Sequence, residues 1–562
     1  MKFLPFILVL AVIVSCQQPS SEQKTNETQT IEKQPFIWEN ATIYFMLTDR
    51  FNNGNRANDL SYGRKQDGAP LRSFMGGDIR GVIQKLEEGY FDSLGVTAIW
   101  MNPMIENIHG STDEGTGKSY GFHGYWARDW TTLDKNFGTM KDYKELVDKA
   151  HDRGIRIIMD VVINHTGPVT NTDSQWPDSW VRMDPTCTFE DFESTVSCTL
   201  VDNLPDILTE KEEEVELPGF LLEKWEKEGR KEKELKELDE FFERTGYPRA
   251  PKYYIIKWLI DYVRELGIDG FRVDTAKHTE PGLWATLYRE AVKALEDWRK
   301  SNPDKKIDDT EFYMVGEVYG YSLYTERNFD YGDTLVDFYA EDFDALINFS
   351  LKAEWNQKSP EALFSAYDSL LNGPEMEGKS VLNYITSHDD HSPLPPAGFR
   401  RTPLTSAEYL MLAPGAVQMY YGDETARYLT VEEAQGDAKL RSFMNWEELE
   451  RGVARPEGYS VPEVYAYWSS LGQFRKAHPA IGAGRHRMIA ESPYTFSRVL
   501  RKGDINDAVV VTIGETDLPI AVGEAFEEGT VVRNFYTGEQ SVVANGKVEF
   551  SRPGRIYLLE SI

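Results

Sequence analysis

Met140-Lys-Asp-Tyr-Lys-Glu-Leu-Val-Asp-Lys-Ala-His-Asp-Arg153 is followed, after one glycine, by Ile155-Arg-Ile-Ile-Met-Asp-Val-Val162. The first segment reads as an amphipathic helix and the second as a β-rich run, so together they form one helix–strand unit. The same alternation recurs outward in both directions. Runs at 43–47, 96–100, 270–274, 312–317, 345–349, 381–385 and 416–421 bring the candidate strands to eight, and a second clear helical pattern covers 253–266. Alternating strands and helices predict a parallel sheet, and eight units predict a closed α/β (β/α)8 TIM barrel. An open doubly wound sheet is the alternative, weakened because no GxGxxG follows the first strand.

The 562 residues exceed what one barrel needs. The gap between the third and fourth strands, 166–250, is too long for a plain helix. It contains two cysteines, several prolines and a charged, amphipathic, mostly solvated helical stretch at 210–244. We read it as an inserted subdomain, with the barrel formed by 36–165 and 251–480. Beyond 480 the helical pattern stops. Alternating segments such as Ala508-Val-Val-Val-Thr-Ile, punctuated by Gly514, Gly538 and Asn545-Gly546, predict a C-terminal antiparallel β-sandwich over 481–562.

The chain begins with Lys2, a short apolar run at 3–14 and then Ser15-Cys16. The run is too short to span a bilayer and reads as a signal peptide. Its end resembles a bacterial lipobox, which implies cleavage after residue 15 and lipidation of Cys16. Residues 16–35, polar and nearly free of apolar side chains, read as a flexible tether. The expectation is an exported lipoprotein anchored in the cell envelope, at the outer membrane and facing periplasm or surface, and monomeric. Export allows the two remaining cysteines, Cys187 and Cys198, to form a disulfide. Closing so short a loop stabilises by roughly 2–3 kcal/mol.

Net charge is −31, from 92 acidic and 61 basic residues. That excludes the global basic footprint of a nucleic-acid binder and suits a solvated surface. Aromatic residues make up 12%, including 13 Trp and 29 Tyr. Most serve the core, and some are expected to line a sugar cleft.

Functional residues of such a barrel gather at the C-terminal ends of its strands. The third strand ends Asp160-Val-Val-Ile-Asn164-His165, and the fourth Arg272-Val-Asp274, then Thr275-Ala-Lys277-His278. The fifth ends at Glu317 and the seventh at Ser387-His388-Asp389. Residues two apart on a strand share a side, so Arg272 is expected to depress the Asp274 pKa and keep a nucleophile ionised. Glu317, among anionic neighbours in a partly dry cleft, is expected to have a raised pKa, as a general acid requires. Two carboxyls flanking a glycosidic bond are what its hydrolysis needs. A lone strand-end Asp or His is more often a cap or a packed structural group; convergence on successive strand ends carries the functional reading.

Asp160-Val-Val-Ile-Asn-His165, Gly270-Phe-Arg-Val-Asp-Thr-Ala-Lys-His278, Gly316-Glu317 and Ser387-His-Asp389 resemble, in this order, the four motifs of the α-amylase family. Leu204-Pro-Asp206-Ile resembles a further short motif. Phe74-Met-Gly-Gly-Asp78, His123-Gly-Tyr-Trp126 and Tyr420-Tyr-Gly-Asp-Glu424 fit as well. The bacterial periplasmic type is the most similar. The resemblance covers residue 37 to the C-terminus. It implies a retaining hydrolase of α-1,4-linked starch-like glucans and maltooligosaccharides. Asp274 is implied as nucleophile, Glu317 as acid/base and Asp389 as the group gripping sugar hydroxyls. His123, Tyr125, Trp126, His165, Arg272, His388 and Arg441 are implied as substrate contacts, with Lys277 and His278 on the leaving-group side. Asn164, Asp206 and the His278 carbonyl match ligands for Ca²⁺. Ser387 replaces the common Asn before His-Asp, which argues against the chloride-activated branch. Other readings are an α-glucosidase or transglycosylase on the same scaffold, or a non-catalytic surface glucan-binding protein. Intact Asp274, Glu317 and Asp389 weigh against the last.

Overall fold

The computed structural model describes residues 1, 34–113, 115–389, 402–428, 431–551 and 553–562. The signal peptide, Cys16 and most of the tether lie outside the described residues.

Eight parallel strands close the barrel: β1 (Thr42–Met46), β2 (Ala98–Met101), β3 (Arg156–Val161), β4 (Gly270–Val273), β5 (Tyr313–Gly316), β6 (Ala345–Asn348), β7 (Ser380–Asn383) and β8 (Ala416–Tyr420). Each pairs with its sequence neighbour, and β8 returns to β1 with Thr42 opposite Val417. These are the eight runs read from the sequence. Every residue in them is buried. One face fills the barrel and the other lies under helices, so the strands are buried throughout and mostly apolar, interrupted by polar residues such as Asp160 and Arg272.

The helix Met140–His151 starts on a capping box between Thr139 and Asp142. The helix Pro251–Leu266 starts with proline and stops at Gly267, whose φ of 81° is left-handed. A Cβ at Gly267 would meet the Trp298 ring at 2.4 Å.

The charged stretch forms two helices, Gly219–Lys227 and Lys231–Thr245. Their outer faces carry Lys and Glu. Leu221, Trp225, Leu238, Phe241 and Phe242 are buried and join the main core with Trp258. The apolar stripe is therefore a docking face on the barrel.

At the C-terminus lie β9 (Arg485–Glu491), β10 (Tyr494–Lys502), β11 (Ile505–Ile513), β12 (Ile520–Ala521), β13 (Val531–Asn534), β14 (Gln540–Val542), β15 (Lys547–Val548) and β16 (Ile556–Ser561). Six form an antiparallel sheet in the order β9-β10-β11-β16-β13-β14, and β12 pairs with β15. Alternation sorts the two faces. Val509 and Val511 belong to the main core, whereas Val510 packs with Ile520, Val522 and Val548 in a second one. His478, just after the helix Val461–Ala477, joins the barrel to this sheet. Its ring nitrogens lie 2.9 Å from Asp507 of β11 and 2.9 Å from Glu560 of β16.

Candidate active site

The centre of the site is Arg272 on β4, directly opposite Asp160 on β3. Its Nη1 donates to Asp160 Oδ1 at 2.9 Å and to Asp274 Oδ1 at 2.7 Å. Its Nη2 lies 3.0 Å from Glu317 Oε2. Asp274 and Glu317 each stand one residue beyond their strands and continue the ladder: Asp274 N–H donates to Val161 O, and Glu317 N–H to Val273 O. The next residue, Thr275, takes a left-handed φ of 49°, strained for a β-branched side chain. That turn aims its N–H at Glu317 Oε2, 3.0 Å away.

One guanidinium therefore serves three buried carboxyls. It cannot neutralise all three, and a bare carboxylate is costly out of water. Burial pushes Asp160 up to about 7 despite Arg272. Burial also raises Glu317, with Arg272 opposing and Asp274 and Asp389 reinforcing. Asp274 corrects the sequence expectation. Burial raises its pKa, and Arg272 offsets that without reversing it. The strand spacing revealed the Arg272–Asp274 pair but not that Asp160 and Glu317 compete for the same cation.

Asp389 differs. Its side chain is 40% exposed, against 7% and 12% for Asp274 and Glu317. Although desolvation works against it, His388 and Arg441 hold its carboxyl well below the usual range. Arg441 donates to it at 2.6 Å and is itself held by Asp437 at 2.6 Å.

Tyr125 lies beside this group. Its hydroxyl donates to Asp160 at 2.8 Å, and its ring stacks with His388 and His123 at centroid distances of 5.2 and 5.8 Å. His165 Nε2 donates to Tyr125 O at 3.1 Å, and burial lowers its pKa to about 4, so the ring is neutral at pH 7. His123 Nδ1 accepts the Tyr125 N–H, and burial lowers its pKa too. Lys277 Nζ donates to Tyr319 O, and His278 Nδ1 to Thr195 O. Trp126 is buried, packing on Ile108 and Leu204 and edge-on against His123.

The sequence reading gave no role to Asp160, Trp100 or Asp437. Trp100 Nε1 donates to Asp160 at 3.0 Å. A single acid interrupting the apolar run Ile155–Val162 was the available signal for Asp160.

Asn164, Asp206 and His278 surround the junction of β3 and the insert. Residues His165 and Asp206 form a β-bridge, and Asn164 O accepts Ile207 N–H. Asn164 Oδ1 is buried without a hydrogen bond, and an amide oxygen left unsatisfied is a hard donor of the kind Ca²⁺ takes. Asp206 Oδ2 is instead paired with Arg182 Nε at 2.7 Å, so that carboxylate already has a cationic partner. Among the described residues no group of three or more His, Cys, Asp or Glu side chains could hold a metal. Cys187 and Cys198 form the expected disulfide.

A model of the alpha amylase catalytic domain matches residues 45–484. The chain belongs to the α-amylase family. It is 37% identical over 531 residues to the periplasmic alpha-amylase of Escherichia coli, covering 84% of this chain and 72% of that protein. It is 26% identical to the cyclomaltodextrin glucanotransferase of Geobacillus stearothermophilus, of which it spans 59%. Among solved structures, an Anoxybacillus alpha-amylase matches 94% of this chain and 99% of its own, with TM-score 0.63 and 23% identity. Within this α-amylase family member the Arg272 cluster sits at the C-terminal mouth of the barrel, as its fold requires.

Proposed function

We propose that the chain is a retaining hydrolase of α-1,4-glucosidic bonds in starch-like glucans and maltooligosaccharides. The observation that carries this is the single Arg272 guanidinium bonded to both Asp274 and Glu317. Asp274 attacks the anomeric carbon while Glu317 gives its proton to the departing glycosidic oxygen. The glycosyl–Asp274 ester is then opened by water, from which Glu317 takes the proton. The raised Glu317 pKa supports its role as acid. Asp389, ionised beside Arg441, accepts hydrogen bonds from sugar hydroxyls. Arg272, His165, His123 and His388 hold the reacting sugar, and Tyr125 stacks beneath it. Lys277 and His278 meet the departing chain.

Asn164, Asp206 and the His278 carbonyl would hold Ca²⁺, which when bound supplies a clamp between insert and barrel. The domain division is that of the sequence reading: barrel 36–165 with 251–480, insert 166–250, β-sandwich 481–562. The periplasmic name of the Escherichia coli relative supports export, and lipidation at Cys16 would anchor the protein in the envelope. No described helix is long and apolar enough to cross a membrane.

Similarity to glucanotransferases favours a second reading, transfer of the glycosyl group to another glucan. A time-resolved product profile on amylose, pullulan and short maltooligosaccharides separates the two. Linear sugars with new reducing ends support hydrolysis. Cyclic or lengthened products support transfer, and no cleavage of any substrate overturns both.

A further inference from the structure

Beside the His165–Asp206 bridge, the insert reaches the leaving-group side of the site with one small loop. Cys187 and Cys198 close it, with the four-residue helix Glu193–Val196 inside. A helix that short has no stability of its own and keeps its place only by being tied down. The Thr195 carbonyl of this helix accepts the Nδ1 proton of buried His278 at 2.9 Å. The adjoining residue is held through a relay. Phe192 N–H donates to Asp333 at 2.9 Å, its ring packs edge-on against Tyr331 at 5.1 Å, and the Tyr331 hydroxyl donates to Lys277 O at 2.7 Å. The loop therefore grips Lys277 and His278 from outside, one by its backbone and the other by its ring.

The same segment continues to the catalytic carboxyls. Ala276 N–H donates to Glu317 O at 2.9 Å, and Lys277 Nζ to the carbonyl of Tyr319, two residues past Glu317. We propose that the Cys187–Cys198 loop is a positioning element that presets the leaving-group side of the cleft for a glucan chain. It makes no contact with Asp274, Glu317 or Asp389 among those described. Opening the loop frees the Thr195 carbonyl and Phe192, so Lys277 and His278 lose their fixed geometry while the Arg272 cluster keeps its own. The inference rests on the leaving-group reading of Lys277 and His278 given above.

The test compares kcat and KM on maltoheptaose, which extends well past the cleaved bond, with 4-nitrophenyl maltotrioside, whose leaving group is a single ring. A Cys187→Ser/Cys198→Ser variant should raise KM for maltoheptaose by about fivefold or more, with kcat within about twofold and both constants on the aryl substrate within about twofold. Should that variant fold poorly, the folded wild type is reduced instead. Dithiothreitol supplies two electrons and two protons to the S–S bond, leaves as its cyclic disulfide, and yields two thiols that are counted. Cys187 is partly exposed and open to that attack. An equal loss on both substrates, or no change on either, overturns the proposal. Lys277→Ala, with the disulfide intact, reports on the underlying reading. If it shifts KM for maltoheptaose and the open loop does not, the positioning role alone fails. If neither shifts it, the leaving-group reading fails as well.

Discussion

Arg272 reaches Asp274 with one guanidinium nitrogen at 2.7 Å and Glu317 with the other at 3.0 Å. The two carboxyls with opposite tasks are thus aligned by one rigid planar group, which two separate lysines could not do. The fork fixes their relative position. Its single charge, shared also with Asp160, leaves room for a proton on the cluster.

Asp274→Asn and Glu317→Gln should each lower kcat by at least about a thousandfold, because one removes the covalent step and the other its proton transfer. Circular dichroism should show an unchanged fold. Proton NMR of the first-formed sugar should show the α-anomer, and an initial β-anomer would rule out a retaining double displacement.

The pH profile should be bell-shaped, with both limbs displaced upward. Activity needs Asp274 ionised and Glu317 protonated, and burial raises both pKa values. The acidic limb should lie above an ordinary Asp (about 3.9) and the alkaline limb above an ordinary Glu (about 4.3). Measuring kcat/KM against pH checks this; an acidic limb at or below that of a free aspartate contradicts it.

Stability should fall on the alkaline side through His478. Although burial opposes it, hydrogen bonds to Asp507 and Glu560 raise its pKa to about 9 in the folded chain. A raised folded pKa stabilises fully below the unfolded value of about 6.5, and the benefit is lost as pH rises through about 9. The loss is at most about 3 kcal/mol. Melting temperatures from pH 6 to 10 should decline in the wild type. His478→Gln should melt lower at pH 6, approach the wild type near pH 10 and show a flatter dependence.

Chelation should lower the melting temperature, and added Ca²⁺ should restore it, because binding to the folded state stabilises by mass action. Asp206→Ala should abolish the response. Calorimetry with and without EDTA, together with elemental analysis, decides it. An unchanged melt with no metal found removes the site.

Cys16→Ser should move the exported protein from the membrane fraction to the soluble one, since a multiply acylated cysteine holds firmly and a bare terminus does not. Fractionation with immunoblotting reads this out. A wild type already soluble after export overturns the lipobox reading.

The sequence by itself determined the eight barrel strands, because a strand buried on both faces must be a continuous apolar run, and such a run is visible locally. It also placed Asp274 and Glu317 at strand ends, because each closes its own run, whereas Asp389 stands six residues beyond β7 and was legible only as part of Ser387-His388-Asp389. What only the tertiary structure decided involves partners far apart in the chain. The Arg272–Asp160 contact spans 112 positions and depends on β3 and β4 aligning in register. The pKa of Asp274 depends on every group around it, so its nearest cation in sequence predicted the wrong direction. The packing of Trp126 on Ile108 and Leu204 likewise joins positions far apart in the chain. The charged helices of the insert read from sequence as amphipathic and mostly solvated, because periodicity is a property of the chain. That their apolar stripe docks with Trp258 was decided by the tertiary structure, since burial is a property of the surroundings.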